Sequence, residues 1–138
     1  MTDWRFNDGG YVTPESIEGY KAFVYIIIDN KTGKSYIGKK LLNSTNRVKV
    51  KGRKNRKVKI TESNWRKYWG SNKELVEDVA KLGEGRFSRI IIKLCKNKGE
   101  ASYWECRTQF AYDVLLHQDR FYNRHIMCHV HASHLPKQ

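Results

Sequence analysis

Two tyrosines are placed where they could do proton chemistry. Tyr25 and Tyr36 stand eleven positions apart in VYIIIDNKTGKSYIGKK, on either side of an NKTGK turn. Cross-strand neighbours in a hairpin lie about 5 Å apart, so two phenols on one face can reach one point. A phenol, with a pKa of about 10, works as a general base only where its anion is stabilised. Lys34, Lys39 and Lys40 bring positive charge close in sequence. The same tyrosines also read as ordinary core aromatics with a wet hydroxyl. Glu105, in ASYWECRTQF, has Ala101, Ser102, Thr108 and Gln109 three and four residues away, none a large aliphatic. That suits an exposed helix glutamate and equally an active-site glutamate at the edge of a core.

The elements that would hold these residues follow from pattern. Residues 22–30, AFVYIIIDN, are β-branched and aromatic and read as a central strand, apolar on both faces. NKTGK turns the chain and SYIGK returns as its partner. Ser71, with Glu74 three residues on, makes a capping box for a helix through NKELVEDVAKL, with Leu75, Val79 and Leu82 on one stripe and Gly83 as the stop. FSRIIIKLC, Phe87 to Cys95, is a third strand. A second helix is expected from about Glu100 to Leu116, with Tyr103, Phe110 and Val114 on its stripe and Trp104, Ala111 and Leu115 beside them. The order predicts an α+β fold: a small three-stranded antiparallel sheet flanked by helices, with a basic insert after the second strand. The expected divisions are an extended lead-in over 1–21, a domain over 22–126 with the insert at 43–62, and a His-rich tail over 127–138.

The insert carries most of the charge. The chain has 138 residues and a formal net charge of +13. Eight Lys and Arg fall between Arg47 and Lys59 with no acid, which leaves +5 for everything else. Such a balance draws a protein to polyanions, nucleic acid or an anionic membrane surface. Val48 and Val50 alternate with Lys49 and Lys51, and Val58 and Ile60 with Lys57 and Lys59, about a turn-like Gly52-Arg53-Lys54-Asn55. This is either a second hairpin with one apolar and one basic face or a solvated loop; both can lie along a phosphate backbone. No stretch approaches the roughly 18 apolar residues of a membrane span, and MTDWRFNDGG carries acids where a signal peptide is positive, so a soluble, cytoplasmic protein is expected. Cys95, Cys106 and Cys128 lack metal-site or disulfide spacing and read as small, buried, reduced thiols.

VYIII…SYIG resembles the signature of the GIY-YIG nuclease family, with Phe23-Val24-Tyr25 as the first motif and Tyr36-Ile37-Gly38 as the second. The tyrosine spacing, a glutamate on the helix after the third strand (Glu105) and a closing Tyr122-Asn123 agree with it. The middle of the chain is similar to small phage-type proteins described as Seg-like homing endonucleases. Phe23 stands where the family's name-giving glycine would be, a structural position.

The resemblance implies a metal-dependent DNA endonuclease. Glu105 would hold Mg²⁺ or Mn²⁺, Tyr25 would take a proton from the attacking water, Tyr36 would hydrogen-bond in the same site, and Asn123 would position the glutamate or nearby backbone. Gly38 would be structural. The family's catalytic arginine is displaced by the insert; Arg47 is the nearest match, with Lys40 and Arg66 as rivals. Lys39, Lys49, Lys51, Arg53, Lys54, Arg56, Lys57 and Arg66 would contact DNA, expected to be double-stranded, with no membrane involved and a homo-oligomer as one route to double-strand cutting. The rival reading is a non-catalytic module, in which the basic insert with Trp65, Tyr68 and Trp69 holds phosphates and stacks bases. A tail zinc site would need Cys128, His129, His131 and His134 to converge; structural zinc prefers paired loops with wider separations, so a solvated or DNA-binding tail is the expectation.

Overall fold

A computed structural model describes residues 4–137; the ends of the expected lead-in and tail lie outside the described residues. AFVYIIID forms β2 (Ala22–Asp29) at the centre of the sheet, where a strand apolar on both faces has to lie. It pairs antiparallel with β3 (Ser35–Leu41) and β6 (Phe87–Cys95). The three expected strands are joined by a fourth: β1 (Arg5–Phe6) adds parallel to β6, giving the order β1-β6-β2-β3. Trp4, just before it, is buried, and its indole N–H donates to the Trp65 carbonyl at 2.9 Å.

The β2–β3 turn is built on Asp29 and Gly33. Gly33 has φ +79°, a left-handed value that glycine adopts without steric cost, and its N–H donates to the Asp29 carbonyl. The Asp29 carboxylate accepts two hydrogen bonds at 2.8 Å from Arg86 and one from the Lys31 N–H. The Arg86 guanidinium holds that carboxyl far below the usual range.

Each face of the sheet has its own core. Phe23, Tyr25, Ile27, Phe87 and Ile91 pack under α1 (Lys73–Leu82) and the segment around Trp65. Ala22, Val24, Ile37 and Cys95 pack on the other face with Ala101 of α2 (Lys98–Ala111). Several expectations change here. Asn72, not Ser71, caps α1, accepting from the Leu75 N–H at 2.9 Å. Leu82 of its expected stripe is 39% exposed, but Gly83 stops the helix as expected, with φ +95°. Helix α2 ends at Ala111, and Asp113 turns the chain with φ +50°. Its expected aromatic stripe is not its inner face: Ala101, Ser102, Cys106 and Gln109 are buried while Phe110 is 59% exposed. One reason is the neighbour, an edge strand whose free Ile37 carbonyl takes the Gln109 amide. Cys95 and Cys106 are buried, but Cys128 is exposed.

The insert is a hairpin. β4 (Asn43–Val48) pairs with β5 (Lys57–Glu62) as a separate two-stranded sheet. Its faces are not cleanly divided. Arg47 is opposite Val58, on the same face as the Thr45–Ile60 pair; Val48 is opposite Lys57, beside the Asn46–Lys59 pair. The ladder ends at Val48, so Val50 belongs to the tip and cannot line up with Val58 and Ile60. The hairpin projects from the end of β3, and most of its residues are exposed.

Candidate active site

The candidate residues meet around the edge of β3, because nothing pairs with that edge over its whole length. Segment 120–123 covers its start: Ser35 donates to the Arg120 carbonyl, and the Tyr122 N–H donates to the Ser35 carbonyl. Asn123 takes over at the next free residue. Its Oδ1 accepts from the Ile37 N–H at 3.1 Å, and its Nδ2 donates to the Ile37 carbonyl at 2.8 Å. Gln109 of α2 donates to the same carbonyl at 2.9 Å. Asn123, which is buried, thus anchors backbone. Beyond Ile37 the edge opens into a cleft of about 440 Å³ lined by Tyr36, Lys39, Ser71, Glu105, Asn123 and His125, among others. Among its described lining residues Glu105 is the only carboxylate.

Glu105 stands on α2, with 15% of its side chain exposed. Burial raises its carboxyl pKa, and the nearby Lys39 and His125 charges act against that rise. The Lys39 ammonium is 3.7 Å from the Glu105 carboxylate and donates to Ser102 Oγ at 2.7 Å. Because side chains alternate along β3, Lys39 faces α2 while Tyr36, Gly38 and Lys40 face the other way.

Both tyrosines share that other face, with ring centroids 6.2 Å apart, so the hairpin brings the phenols together. Their surroundings differ. Tyr36 lines the cleft and shares a 3.0 Å hydrogen bond with Ser71. Burial raises its pKa, and the Ser71 hydrogen bond opposes the shift. Tyr25 is 1% exposed, and burial drives its pKa well up, with further upward pressure from Tyr68 and Tyr36. The register with β6 shifts between Val24 and Tyr25, leaving Ile92 of β6 as the extra residue opposite them. The Tyr25 hydroxyl lies over Gly38, where an added Cβ would be 2.6 Å from it.

The other basic candidates are elsewhere. Arg47 is exposed on the hairpin and does not line the cleft. Lys40 places its ammonium 4.3 Å from the Tyr68 ring centroid, and burial lowers its pKa. Arg66 is tied to Glu62 at 2.7 Å and lies over the Trp65 ring. Lys49, Lys51, Arg53, Lys54, Arg56 and Lys57 are all exposed around the hairpin tip.

Three residues support the site in roles the sequence did not show. Ser71 was expected as a helix cap. Tyr68 packs edge-on against Tyr25 at 6.0 Å. Arg89 donates to the Arg66 and Tyr68 carbonyls at 3.0 Å and lies against the Trp4 and Trp69 rings, fixing the turn that carries Tyr68. A charge inside the apolar run FSRIIIKLC was the available signal, since a buried charge needs partners.

The chain matches the family model described as "Putative endonuclease segE, GIY-YIG domain" over residues 4–126. No curated protein and no solved structure matches it.

Proposed function

Because this chain belongs to the segE-type GIY-YIG endonuclease family, we propose that it is a metal-dependent endonuclease that hydrolyses phosphodiester bonds of double-stranded DNA in the cleft at the β3 edge. The observation that supports this most is the meeting of Tyr36, Lys39 and Glu105 in one cleft of an otherwise unrelated set of elements. Glu105 is the residue that would hold Mg²⁺ or Mn²⁺; a lone carboxylate, completed by phosphate oxygens and water, suits a hard cation that seldom takes an all-protein cage. The ion, when bound, neutralises charge on the scissile phosphate.

The remaining work falls to the chain's own groups. Tyr36 faces the cleft and presents its hydroxyl, held by Ser71, to the attacking water. The proton-accepting role expected of Tyr25 passes to Tyr36, because Tyr25 lies behind it, buried and hard to ionise. Tyr25 then acts as the wall that fixes the Tyr36 ring. Lys39 takes the part expected of Arg47 or Lys40: its ammonium is in the cleft, where it meets charge building on the phosphate. Asn123 holds the Ile37 backbone and so the register of Tyr36 and Lys39 on either side of it. The hairpin, with Arg47 and the lysines and arginines of its tip, reaches along the duplex; a two-stranded ribbon fits the major groove. A single site cuts one strand, so a monomer nicks and a paired cut needs a second copy, as in a homing-type enzyme of phage.

A non-catalytic DNA-binding module is the second reading, favoured by the upward shift of both phenols, which opposes phenolate formation. Supercoiled plasmid incubated with the protein and Mg²⁺ or Mn²⁺ separates the two. Open-circular product that a chelator abolishes supports the endonuclease; a gel shift with no cutting in either metal supports the binding module.

A further inference from the structure

The cleft does not end at Lys39. A larger groove of about 890 Å³ opens beyond the same lysine, and Lys39 and Met127 line both. One wall is the start of α2, with Asn97, Lys98 and Gly99; the other is the His-rich tail, with His129 and His134. The family match covers residues 4–126, and the tail wall lies beyond it.

The tail is docked rather than solvated. Cys106 Sγ–H donates to the Met127 carbonyl at 3.1 Å, and Asn97 Nδ2 donates to the His134 carbonyl at 3.1 Å. A turn at Ala132–His134 is closed on both sides: His131 accepts from the Ser133 N–H, and His134 accepts from the His131 N–H. The His134 side chain lies directly on Gly99, where an added Cβ would overlap it. Among the described residues, no three His, Cys, Asp or Glu side chains are grouped to hold a metal, so the turn is not arranged around one.

We infer that this groove binds the sugar–phosphate backbone of the cut DNA strand on one side of the scissile phosphate. Its described lining carries two ammonium groups, imidazole, amide, hydroxyl, thiol and thioether groups and no carboxylate; Lys39 is countered by Glu105 of the neighbouring cleft, and Lys98 adds a further positive charge, a balance that matches a polyanion. Lys39 and Lys98 are already linked: Lys39 donates to Ser102 Oγ, and the Ser102 hydroxyl donates to the Lys98 carbonyl at 3.1 Å. That relay ties Lys39 to the backbone at the start of α2, Lys98 adds a second cation to the same lining, and the shared Lys39 makes the groove continuous with the site of cutting. The tail therefore adds binding surface on the α2 side of the cleft, in addition to the β4–β5 hairpin.

The strand assignment rests on the endonuclease reading, but binding is measurable without cutting. Fluorescence anisotropy with a labelled oligonucleotide, single-stranded or duplex, is run in EDTA over a salt series. Lys98→Ala is expected to weaken binding on the order of fivefold and to lower the salt slope by about 0.9 for the duplex. Gly99→Ala, which changes no charge but displaces His134, is expected to weaken binding as well. Lys81→Ala, a cation that lines neither cavity, is expected to have a smaller effect. Wild-type affinity and slope in both Lys98→Ala and Gly99→Ala, equal losses in Lys81→Ala and Lys98→Ala, displacement of wild type by acidic peptide but not by DNA, or no DNA binding by wild type would each overturn the proposal. Weakened binding in the two groove variants of a protein that nicks no plasmid would support the groove and overturn only the endonuclease reading.

Discussion

Replacing Gly38 by alanine tests whether the two phenols are packed as described. Gly38 is not among the glycines with left-handed φ, so alanine meets no backbone penalty. The problem is space: the new Cβ would be 2.6 Å from the Tyr25 hydroxyl oxygen, 2.8 Å from Tyr25 Cζ and 3.0 Å from Tyr36 Cε2. Tyr25 cannot retreat, because Trp4, Phe23 and Tyr68 surround its ring at centroid distances of 5.4, 6.0 and 6.0 Å. Overpacking of this kind costs about 1–3 kcal/mol. The loss of unfolded-state freedom on Gly→Ala returns about 0.4–1 kcal/mol. A net loss of about 1–2 kcal/mol corresponds to a melting temperature lower by roughly 3–8 °C in a domain of this size. Displacing Tyr36 by a fraction of an ångström to an ångström should also reduce cleavage, on the order of 10²-fold. Gly33→Ala is the control: nothing lies within 4 Å of its Cβ, but its φ is +79°, so it should lose about 1 kcal/mol of stability while cleaving normally at a temperature where it is folded. Thermal unfolding followed by circular dichroism, with plasmid cleavage at a common temperature, reads both. Wild-type stability and wild-type cleavage in Gly38→Ala would refute the packing.

Other perturbations follow from the same contacts. Asn123→Ala leaves the buried Ile37 N–H without its side-chain acceptor, while Gln109 still serves the carbonyl; unfolding should show a loss of about 1–3 kcal/mol. Lys39→Ala removes a charge that counters the burial of Glu105, so the Glu105 pKa should rise further and the acid limb of the pH–rate profile should move to higher pH. Glu105 itself has a pKa raised by folding, so its stabilising contribution is present at low pH and lost as pH rises through the folded value; Glu105→Gln should be at least as stable as wild type at neutral pH, an advantage that disappears on acidification. Neutralising Lys49, Lys51, Arg53 and Arg56 together should weaken duplex binding and flatten its salt slope by up to ~3.6, at about 0.9 per phosphate contact. An unchanged slope would remove the hairpin from the DNA interface.

The hairpin that carries both phenols was legible because AFVYIIID leaves no alternative to an inner strand and NKTGK can only turn. Glu105 was legible as a helix residue with small neighbours, though not that one of them, Gln109, serves the free edge of β3. What stayed hidden depended on contacts distant in sequence. Ser71 precedes a helix and suits a cap, yet Asn72 caps it and leaves the Ser71 hydroxyl to Tyr36, thirty-five residues earlier. That Lys39 and not Arg47 lines the cleft, beside Lys73 and Arg124, follows from strand parity and the length of the β4–β5 ladder; alternation in the basic run suggested a hairpin but not its register. The tail could not be placed because its partners, Asn97, Gly99 and Cys106, lie on or beside α2, and none of them carries a mark in the sequence of what lies on it.

The most direct measurement is single-turnover cleavage of labelled DNA by wild type and Glu105→Gln, at saturating protein with Mg²⁺ or Mn²⁺, beside binding of the same DNA in EDTA. Glu105→Gln is expected to bind as wild type does and to cut slower by on the order of 10²-fold or more, as when a group that stabilises transition-state charge is removed. Cleavage by Glu105→Gln at the wild-type rate would contradict the assignment of the β3-edge cleft as the catalytic site.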